Sequence, residues 1–467
     1  MSELWQHGAL ELAAKIRAKE VSSREVLEAH LDRVQRVNPH LNAIVRVLAD
    51  EARTAADAAD KATAAGTATG VLHGVPITVK ENIDLAGTPT TQGVPALADA
   101  IATIDAPTVA RMRAAGAIPF ARTNLPDFGL RIHTDSALHG LTRNPWNPRV
   151  TAGGSSGGEG SALASGMSPL GLGNDIGGSL RNPAHCCGIT SIKPSSGVVP
   201  MATVIPPEDM MIASQLMVVE GPMARHVADV RAAFEIVAGA DPRDPRSLPV
   251  RLTDSAPGER LRIAVMADPP GGPTDAGIAA GVRRAADALA DAGHDVVEAT
   301  PPDYDEVLAL WAMLLIADVR VQLPLLEEAM GVGGRDVLHN MDAMLPPFTT
   351  DEVLSMHARR FALMRGWSVW FEQHPVLLSP TWAQPAFTHD ADRDPAFTQT
   401  MLDTMRPVLP ANFLGLPAVV VPAGLADGLP VGVQVIGDRF TDLRCLTVAA
   451  QVEAALGRLT PIDPITS

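Results

Sequence analysis

Glycine is concentrated in one short stretch of this 467-residue chain. Residues 153–178 contain ten of its 39 glycines, including three adjacent pairs. Glycine has no side chain, so a stretch of this kind fits where backbone must lie close to other backbone or to a ligand. We therefore interpret residues 153–178 as a segment whose backbone is closely packed or faces a ligand.

The segments around this stretch predict an α/β fold. Residues 1–65 carry apolar residues at three- and four-residue steps, typical of amphipathic helices, with Ser22 or Ser23 as a helix N-cap. From residue 72 onward, short apolar runs bounded by glycine and proline alternate with helical patterns, which indicates strands and helices around one sheet. We expect a single domain, residues 1–467, made of N-terminal helices (1–65), a core (70–235) and a variable α/β part (240–460).

The variable part has recognisable elements of its own. They are a strand at 261–266, a helix at 279–292, a Leu- and Met-rich helical run at 305–370, a strand at 430–437 and a last helix from Asp442.

Composition excludes several classes of function. The 37 Lys and Arg residues against 53 Asp and Glu give a net charge of -16, which repels nucleic-acid phosphates and anionic lipid. No segment approaches 18 uninterrupted apolar residues, and the first residues lack the pattern of a signal peptide. Three cysteines cannot build a disulfide framework. We therefore expect a cytoplasmic protein that binds neither nucleic acid nor membrane.

Lys80 is a candidate base. The chain has only five lysines, and this one follows the apolar residues 75–79, which predict a buried strand. An unpaired buried ammonium is costly and tends to lose its proton, and a neutral lysine can accept one. The alternative is a structural ion pair between Lys80 and Glu81 or Asp84.

Three serines are candidate nucleophiles. Ser155 and Ser156 each stand at the centre of a GxSxG pattern, which is typical of the α/β-hydrolase nucleophile elbow but weak alone. The same stretch lacks the phosphate-loop and dinucleotide-binding spacings. Ser179 is the better candidate, because the two glycines before it let successive backbone N–H groups turn toward one point beside its hydroxyl, as an oxyanion requires.

Together these segments resemble the amidase signature family of serine hydrolases. The family's Gly-Gly-Ser-Ser-Gly-Gly corresponds to residues 153–158, and its Gly-x-Asp-x-Gly-Gly-Ser-Leu-Arg to 173–181. Further matches are Cys-Gly at 187–188, Lys-Pro at 193–194 and flanking pieces at 72–84, 144–147, 221–225, 415–418 and 429–432. The resemblance spans about residues 10–460 and implies a large mixed, twisted β-sheet core covered by helices on both faces.

The resemblance also implies a Ser-Ser-Lys triad. Ser179 is then the nucleophile, Ser155 the bridging serine after a cis peptide bond, and Lys80 the base. Ser155 passes a proton from Ser179 to Lys80 and returns one to the leaving amine. The backbone N–H groups expected to hold the oxyanion are those of Ile176, Gly177, Gly178 and Ser179. The expected supporting residues are Ser156, Asp175 and Arg181. This chemistry requires no metal and no organic cofactor.

The substrate pocket is less defined by sequence. We expect Gly129, Arg131 and His133 to line it, and Ala152, where the family usually has proline, to loosen the approach to the glycine-rich loop. His133 could instead suggest a Ser/His/Asp triad, but it precedes the serines, opposite to the α/β-hydrolase order. The helices of residues 311–364 are an alternative source of a hydrophobic acyl pocket, although apolar helical stripes are more typical of a core.

One further motif has two interpretations. His185, Cys186 and Cys187 include residue types that bind metals, but adjacent residues on one element point apart. We therefore interpret them as packing residues.

The resulting prediction is a cofactor-independent amidase that hydrolyses aryl or hydrophobic amides through an acyl-Ser179 intermediate, with esterase and carbamate hydrolase activity. Its expected partner is a small-molecule amide. Homodimers are common among similar proteins, and the oligomeric state of this chain stays open. Two alternatives stay open: the A subunit of a glutamine-dependent aminoacyl-tRNA amidotransferase, and a catalytically silent scaffold.

Overall fold

The computed structural model describes residues 3–68, 70–206, 208–256 and 258–465. Most of its strands join one sheet that draws on both halves of the sequence. The strands are β1 (Ile44–Val47), β2 (Pro76–Lys80), β3 (Ile118–Thr123), β4 (Asp135–Ser136), β5 (Gly140–Leu141), β6 (Leu170–Asp175), β7 (Thr190–Lys193), β8 (Val219–Ala224), β9 (Arg262–Val265), β10 (Asp295–Glu298), β11 (Val376–Pro380), β12 (Ala418–Ala426) and β13 (Leu429–Gly437).

Helices account for most of the remaining described chain. They are α1 (Ala9–Arg17), α2 (Ser23–Leu41), α3 (Ala49–Ala65), α4 (Pro107–Ala114), α5 (Gly157–Ala164), α6 (Arg181–Cys187), α7 (Ile212–Met217), α8 (Val227–Val237), α9 (Ala276–Asp291), α10 (Tyr304–Ala329), α11 (Val332–Ala343), α12 (Thr350–Gln373), α13 (Thr398–Met405), α14 (Leu409–Phe413) and α15 (Asp442–Leu456).

The main sheet has eleven strands in the order β1-β3-β2-β6-β8-β7-β12-β13-β11-β9-β10. β2 pairs in parallel with β3 and β6, and β9 pairs in parallel with β10 and β11. The pairings from β6 to β11 are antiparallel, so the sheet is mixed, as predicted. Strands from the predicted core and from the predicted variable part share this sheet, which favours the prediction of a single domain.

Alternating side chains on β11 show how both faces of the sheet are covered. Val376 and Leu378 pack into one apolar cluster with residues of α8, α9 and α15. Leu377, between them, packs into a second cluster with Trp311 of α10 and Trp367 of α12. Because neighbouring strand residues point to opposite faces, the sheet lies between two helical layers, which confirms the predicted covering of both faces.

The N-terminal region is helical with one exception. α2 begins after Ser22, whose hydroxyl accepts from the Glu25 N–H in a capping box, as the predicted N-cap requires. The prediction of helices alone over residues 1–65 is wrong at β1, which pairs antiparallel with β3. Asn42 ends α2 in the left-handed conformation, and the β-branched residues that follow suit a strand.

The variable part follows its predicted order. The strand predicted at 261–266 is β9, and the helix predicted at 279–292 is α9, which begins three residues earlier because Asp275 caps it. The helical run at 305–370 is divided into α10, α11 and α12. The last predicted strand and helix correspond to β13 and α15.

Among the described residues, α10 is the one helix with the length and apolar composition of a membrane span. Part of it is buried: Trp311 is 1% exposed, and Asp318 accepts a hydrogen bond from the Ser214 N–H on α7. Val321 and Leu325, by contrast, are 65% and 61% exposed.

Candidate active site

The candidate residues meet at one edge of the sheet. Lys80 is the last residue of β2, and Asp175 is the last residue of β6, its parallel neighbour. The carboxyl ends of parallel strands therefore bring the two motifs together, which is where α/β sheets usually bind ligands. Ser155 lies just before α5, and Ser179 follows β6.

Lys80 contacts a serine and an amide. Its Nζ lies 2.7 Å from the Ser155 Oγ and donates to the Asn174 Oδ1 at 2.6 Å. The carboxyls of Glu81 and Asp84 bond to other side chains. The alternative of a structural ion pair with either carboxyl is therefore wrong, because the Lys80 amine is directed to Ser155 and Asn174.

Burial lowers the pKa of Lys80 to about 7. The side chain has no solvent exposure, so the charged ammonium loses most of its hydration. The carboxyls of Asp175, Glu159 and Glu220 act in the opposite direction and keep the pKa from falling further. A substantial fraction of Lys80 is thus a neutral amine near pH 7, which can accept a proton.

The two catalytic serine candidates lie on the same cavity. Ser155 is 2% exposed and Ser179 is 7% exposed, and the peptide between Gly154 and Ser155 is cis. Ser156 links their loops, because its N–H donates to the Ser179 carbonyl at 3.2 Å. No direct hydrogen bond joins the Ser155 and Ser179 hydroxyls among the described contacts.

The turn before Ser179 differs from the prediction at one amide. The Gly178 N–H donates to the Asp175 Oδ1 at 2.8 Å, so it is engaged inside the turn. Asp175 is the last residue of β6, and its carboxylate accepts this N–H because the turn brings Gly178 back over the end of the strand. The N–H groups of Ile176, Gly177 and Ser179 make no such contact within the described chain, and these three are the available oxyanion donors.

Asp175 and Arg181 form a buried pair beneath this turn. The Arg181 Nε and Nη2 each lie 3.0 Å from an oxygen of Asp175, and neither side chain is exposed. Burial alone would raise the pKa of Asp175, but the Arg181 guanidinium outweighs it and holds that pKa well below its usual range. Asp175 also accepts from the N–H groups of Gly178 and Leu180 on either side of Ser179. The supporting role expected for both residues stays a prediction.

Asn174 is a site residue that sequence reasoning missed. Its Oδ1 accepts from Lys80, while its Nδ2 donates to the Asn82 Oδ1 at 3.0 Å. Asn82 therefore fixes the amide with its oxygen toward the lysine. The sequence carried one usable signal, the place of Asn174 inside the motif at 173–181, but its partners lie more than 90 residues away in the chain.

A cavity of about 410 Å³ opens over the two serines. The residues that line it include Asn82, Gly129, Ser155, Asn174, Ile176 and Ser179, together with the charged residues Asp84, Glu208, Asp209, Glu220, Asp244 and Arg246.

A second, smaller space of about 50 Å³, here called the apolar arm, shares Ile176 and Ser179 with the cavity. The apolar arm is lined by Trp311, Leu315, Ile316, Val319, Val337, Leu338, Met341, Met401 and Met405. Ser179 thus lies where the cavity meets the apolar arm.

The three expected pocket residues have different positions. Gly129 lines both the cavity and the apolar arm. Arg131 borders the apolar arm, but its guanidinium is held by Asp392 and Asp390. His133 is fully buried beside Thr151, and is therefore not a pocket residue. Among the described residues, no hydrogen bond joins the His133 ring to a serine, so the Ser/His/Asp alternative fails.

Two further sequence features have structural partners. In α6, the His185 Nδ1 accepts from the Gly432 N–H, while the thiols of Cys186 and Cys187 contact Asn182 and the Ala152 carbonyl. The three side chains thus face different neighbours, as the packing interpretation requires. Of the helices expected to form a hydrophobic pocket, α10 and α11 line the apolar arm, whereas residues of α12 pack into the core.

The chain matches one family of proteins over most of its length. A family model described as Amidase matches residues 25–446. An indoleacetamide hydrolase from Bradyrhizobium diazoefficiens is 42% identical over 465 residues, covering 98% of this chain and 88% of that protein. The A subunit of a glutamyl-tRNA(Gln) amidotransferase from Acidothermus cellulolyticus is 34% identical, covering 97% of this chain and 95% of that protein.

A solved structure shows the same architecture. A bacterial aryl acylamidase of the amidase signature enzymes superposes with a TM-score of 0.83 at 29% identity, covering 97% of each chain. The chain therefore belongs to the amidase signature family, and it is an amide hydrolase. It is more similar to the indoleacetamide hydrolase, at 42% identity, than to the amidotransferase subunit, at 34%.

Asn174 yields the first prediction. The Asn174→Asp variant places a carboxylate within hydrogen-bond distance of the Lys80 Nζ, and we expect it to raise the pKa of Lys80 by about one to three pH units. The ascending part of the pH–activity curve moves to higher pH by the same amount. Steady-state kinetics across pH measure this, with Asn174→Ala as the uncharged control. If the Asp variant shows no alkaline displacement relative to the Ala variant, Asn174 does not act on Lys80.

Proposed function

We propose that this chain is a stand-alone amidase that hydrolyses small amides with an aryl or apolar acyl group through an acyl-Ser179 intermediate. The observation that carries the proposal is the position of Lys80, a buried amine with a pKa of about 7 whose Nζ lies 2.7 Å from the Ser155 Oγ. A serine hydroxyl is a poor nucleophile near neutral pH and requires such a base.

The first half of the reaction transfers two protons along the triad. Ser155 donates its hydroxyl proton to the neutral Lys80 and takes the proton of Ser179. The Ser179 Oγ forms a bond to the amide carbon, and the N–H groups of Ile176, Gly177 and Ser179 hold the resulting oxyanion. When the C–N bond breaks, Lys80 returns its proton through Ser155 to the leaving nitrogen, and an acyl ester remains on Ser179.

The second half repeats these transfers with water. A water molecule gives a proton toward Lys80 through Ser155 and attacks the ester carbon. The Ser179 oxygen leaves, is reprotonated through Ser155, and the carboxylic acid is released. Esters and carbamates with good leaving groups are substrates by the same route, because their leaving groups depart more easily than an amine.

Two observations support the acyl preference. The apolar arm beside Ser179 is lined by Trp311 and by the flexible side chains of Met341, Met401 and Met405, which adapt to aromatic rings. The relative that is 42% identical is named an indoleacetamide hydrolase. We therefore propose primary amides of arylacetic acids, with indole-3-acetamide as the first compound to test.

The experiment compares wild type with Ser179→Ala on indole-3-acetamide, an anilide, an aryl ester and glutamine, with released amines and acids measured by mass spectrometry. Wild type should hydrolyse the aryl substrates, and Ser179→Ala should abolish turnover of all of them. Turnover of glutamine alone would favour the amidotransferase alternative. Near wild-type turnover by Ser179→Ala would show that another residue is the nucleophile.

Lys80 yields a second prediction that separates its roles. Lys80→Ala should depress amide hydrolysis by about 10²- to 10⁴-fold and ester hydrolysis less, because only the amine must be protonated before it leaves. Paired measurements of kcat on an amide and an ester with the same acyl group test this. Equal losses on both substrates would contradict the role of Lys80 as an acid in addition to its role as a base.

The pH dependence is the third prediction. Lys80 is active as a base only when neutral, so kcat/KM should rise with pH, pass an inflection near the pKa of about 7 and level off above it. Burial also raises the pKa of Glu159 to about 7 and lowers that of Lys193 to about 7. Glu159→Gln and Lys193→Arg are therefore the controls, and loss of the inflection in either variant would remove its assignment to Lys80.

A further inference from the structure

Trp311 connects the variable part of the chain to the turn before Ser179. It lies on α10, is 1% exposed, and its Nε1 donates to the Ile176 carbonyl at 3.1 Å. The bond joins residues 135 positions apart. The N–H of a buried tryptophan usually has a hydrogen-bond acceptor, and for Trp311 this acceptor is the backbone carbonyl of Ile176, close to Ser179.

This bond determines which way one peptide faces. A trans peptide is planar, and its C=O and N–H point to opposite sides. Because Trp311 holds the Ile176 carbonyl on one side, the Gly177 N–H points to the other. The indole ring also lies directly on this peptide: a Cβ on Gly177 would be 2.6 Å from its Cζ2. The ring is thus in close contact with the residue that carries this N–H.

The neighbouring peptides are held in the same manner. The Asp175 carbonyl accepts from the Asn412 Nδ2 at 3.2 Å, which orients the N–H of Ile176. The Gly178 carbonyl accepts from the Asn182 N–H at 2.6 Å, which orients the N–H of Ser179. Each of the three available amides thus belongs to a peptide whose carbonyl accepts a hydrogen bond on the side opposite the N–H. The donors to these carbonyls are Trp311, Asn412 and Asn182, and of the three, Trp311 is the one that also lines the apolar arm.

We propose that Trp311 is a positioning residue for the oxyanion site: it fixes the Gly177 amide toward the reacting carbonyl while forming a wall of the apolar arm. The inference rests on the proposed function, because it assigns that amide to the oxyanion. It differs from a wall role alone, in which Trp311 would affect only substrates whose acyl group reaches the apolar arm.

The test uses the Trp311→Phe variant, which keeps an aromatic ring and removes the N–H. Removal of one oxyanion donor costs about 10²- to 10³-fold in kcat, and a misoriented donor costs part of that, so we expect a loss of about 10- to 100-fold. The loss should appear on acetamide, whose methyl group is too small to fill the apolar arm, and should be at least as large on indole-3-acetamide.

The matched control is Trp367→Phe. Trp367 is also 1% exposed and donates its Nε1 to a backbone carbonyl, that of Pro302, at 2.9 Å, in the same apolar cluster but away from the cavity. Both variants lose a buried N–H, so they should have similar melting temperatures. Trp367→Phe should keep wild-type kcat on both amides.

Inhibitor binding gives a readout that a purely structural role does not change. Methylboronic acid forms a tetrahedral adduct on a serine, and its oxygen occupies the oxyanion site. Trp311→Phe should weaken this inhibitor by about the same factor as kcat. Indole-3-acetate, the product acid, reports contact with the apolar arm, and its binding should change less. A Trp311→Phe variant that keeps wild-type acetamide turnover and methylboronic acid affinity would overturn the proposal.

Gly177→Ala tests the same contact if Trp311→Phe unfolds. Its methyl group displaces the indole ring without a substitution at Trp311, and the expected pattern of losses is the same. Wild-type acetamide turnover in this variant would contradict the proposal. Failure of the proposed function gives a different result from failure of this proposal: the Ser179→Ala variant stays active, whatever the Trp311 variants do.

Discussion

A lysine without solvent exposure determines how the centre of this protein is built. The Lys80 amine needs acceptors in a place where water supplies none, and Ser155 and Asn174 provide them at 2.7 and 2.6 Å. The surrounding carboxyls are themselves held: Glu159, for example, accepts from the Thr78 and Thr123 hydroxyls. These contacts keep the amine in one position, and burial keeps it near neutrality.

The glycine-rich stretch is the backbone counterpart of that requirement. A Cβ on Gly171 of β6 would lie 2.1 Å from a Glu159 oxygen, so glycine at this position leaves room for the Glu159 carboxyl of α5 against the sheet. The variable part then closes the site from the other side. α10 supplies Trp311 and α14 supplies Asn412, both bonded to the backbone before Ser179. The chemistry comes from the core, and its precise arrangement depends on both parts.

The sequence predicted what is encoded locally. The α/β organisation and the place of Lys80 at the end of a buried strand follow from periodicity, and the packing of His185 follows from the divergence of adjacent side chains. The mixed sheet with two helical layers follows from the resemblance to the family. The Lys80–Asn174 and Trp311–Ile176 bonds join residues 94 and 135 positions apart, and a single sequence does not show such pairs. His133 was misplaced because it lies two residues after Arg131, which borders the apolar arm, while its own ring points toward Thr151. Residues 44–47 were missed because helices flank this short strand on both sides.

The central claim is that Lys80 is a neutral amine at the pH of catalysis, and NMR titration of lysine labelled with ¹³C at Cε tests it most directly. With five lysines in the chain, the spectrum is simple, and a Lys193→Arg sample separates the second buried amine. The account predicts that the Lys80 resonance titrates with a pKa of about 7. A Lys80 pKa near the ordinary lysine value of about 10.4 would contradict it.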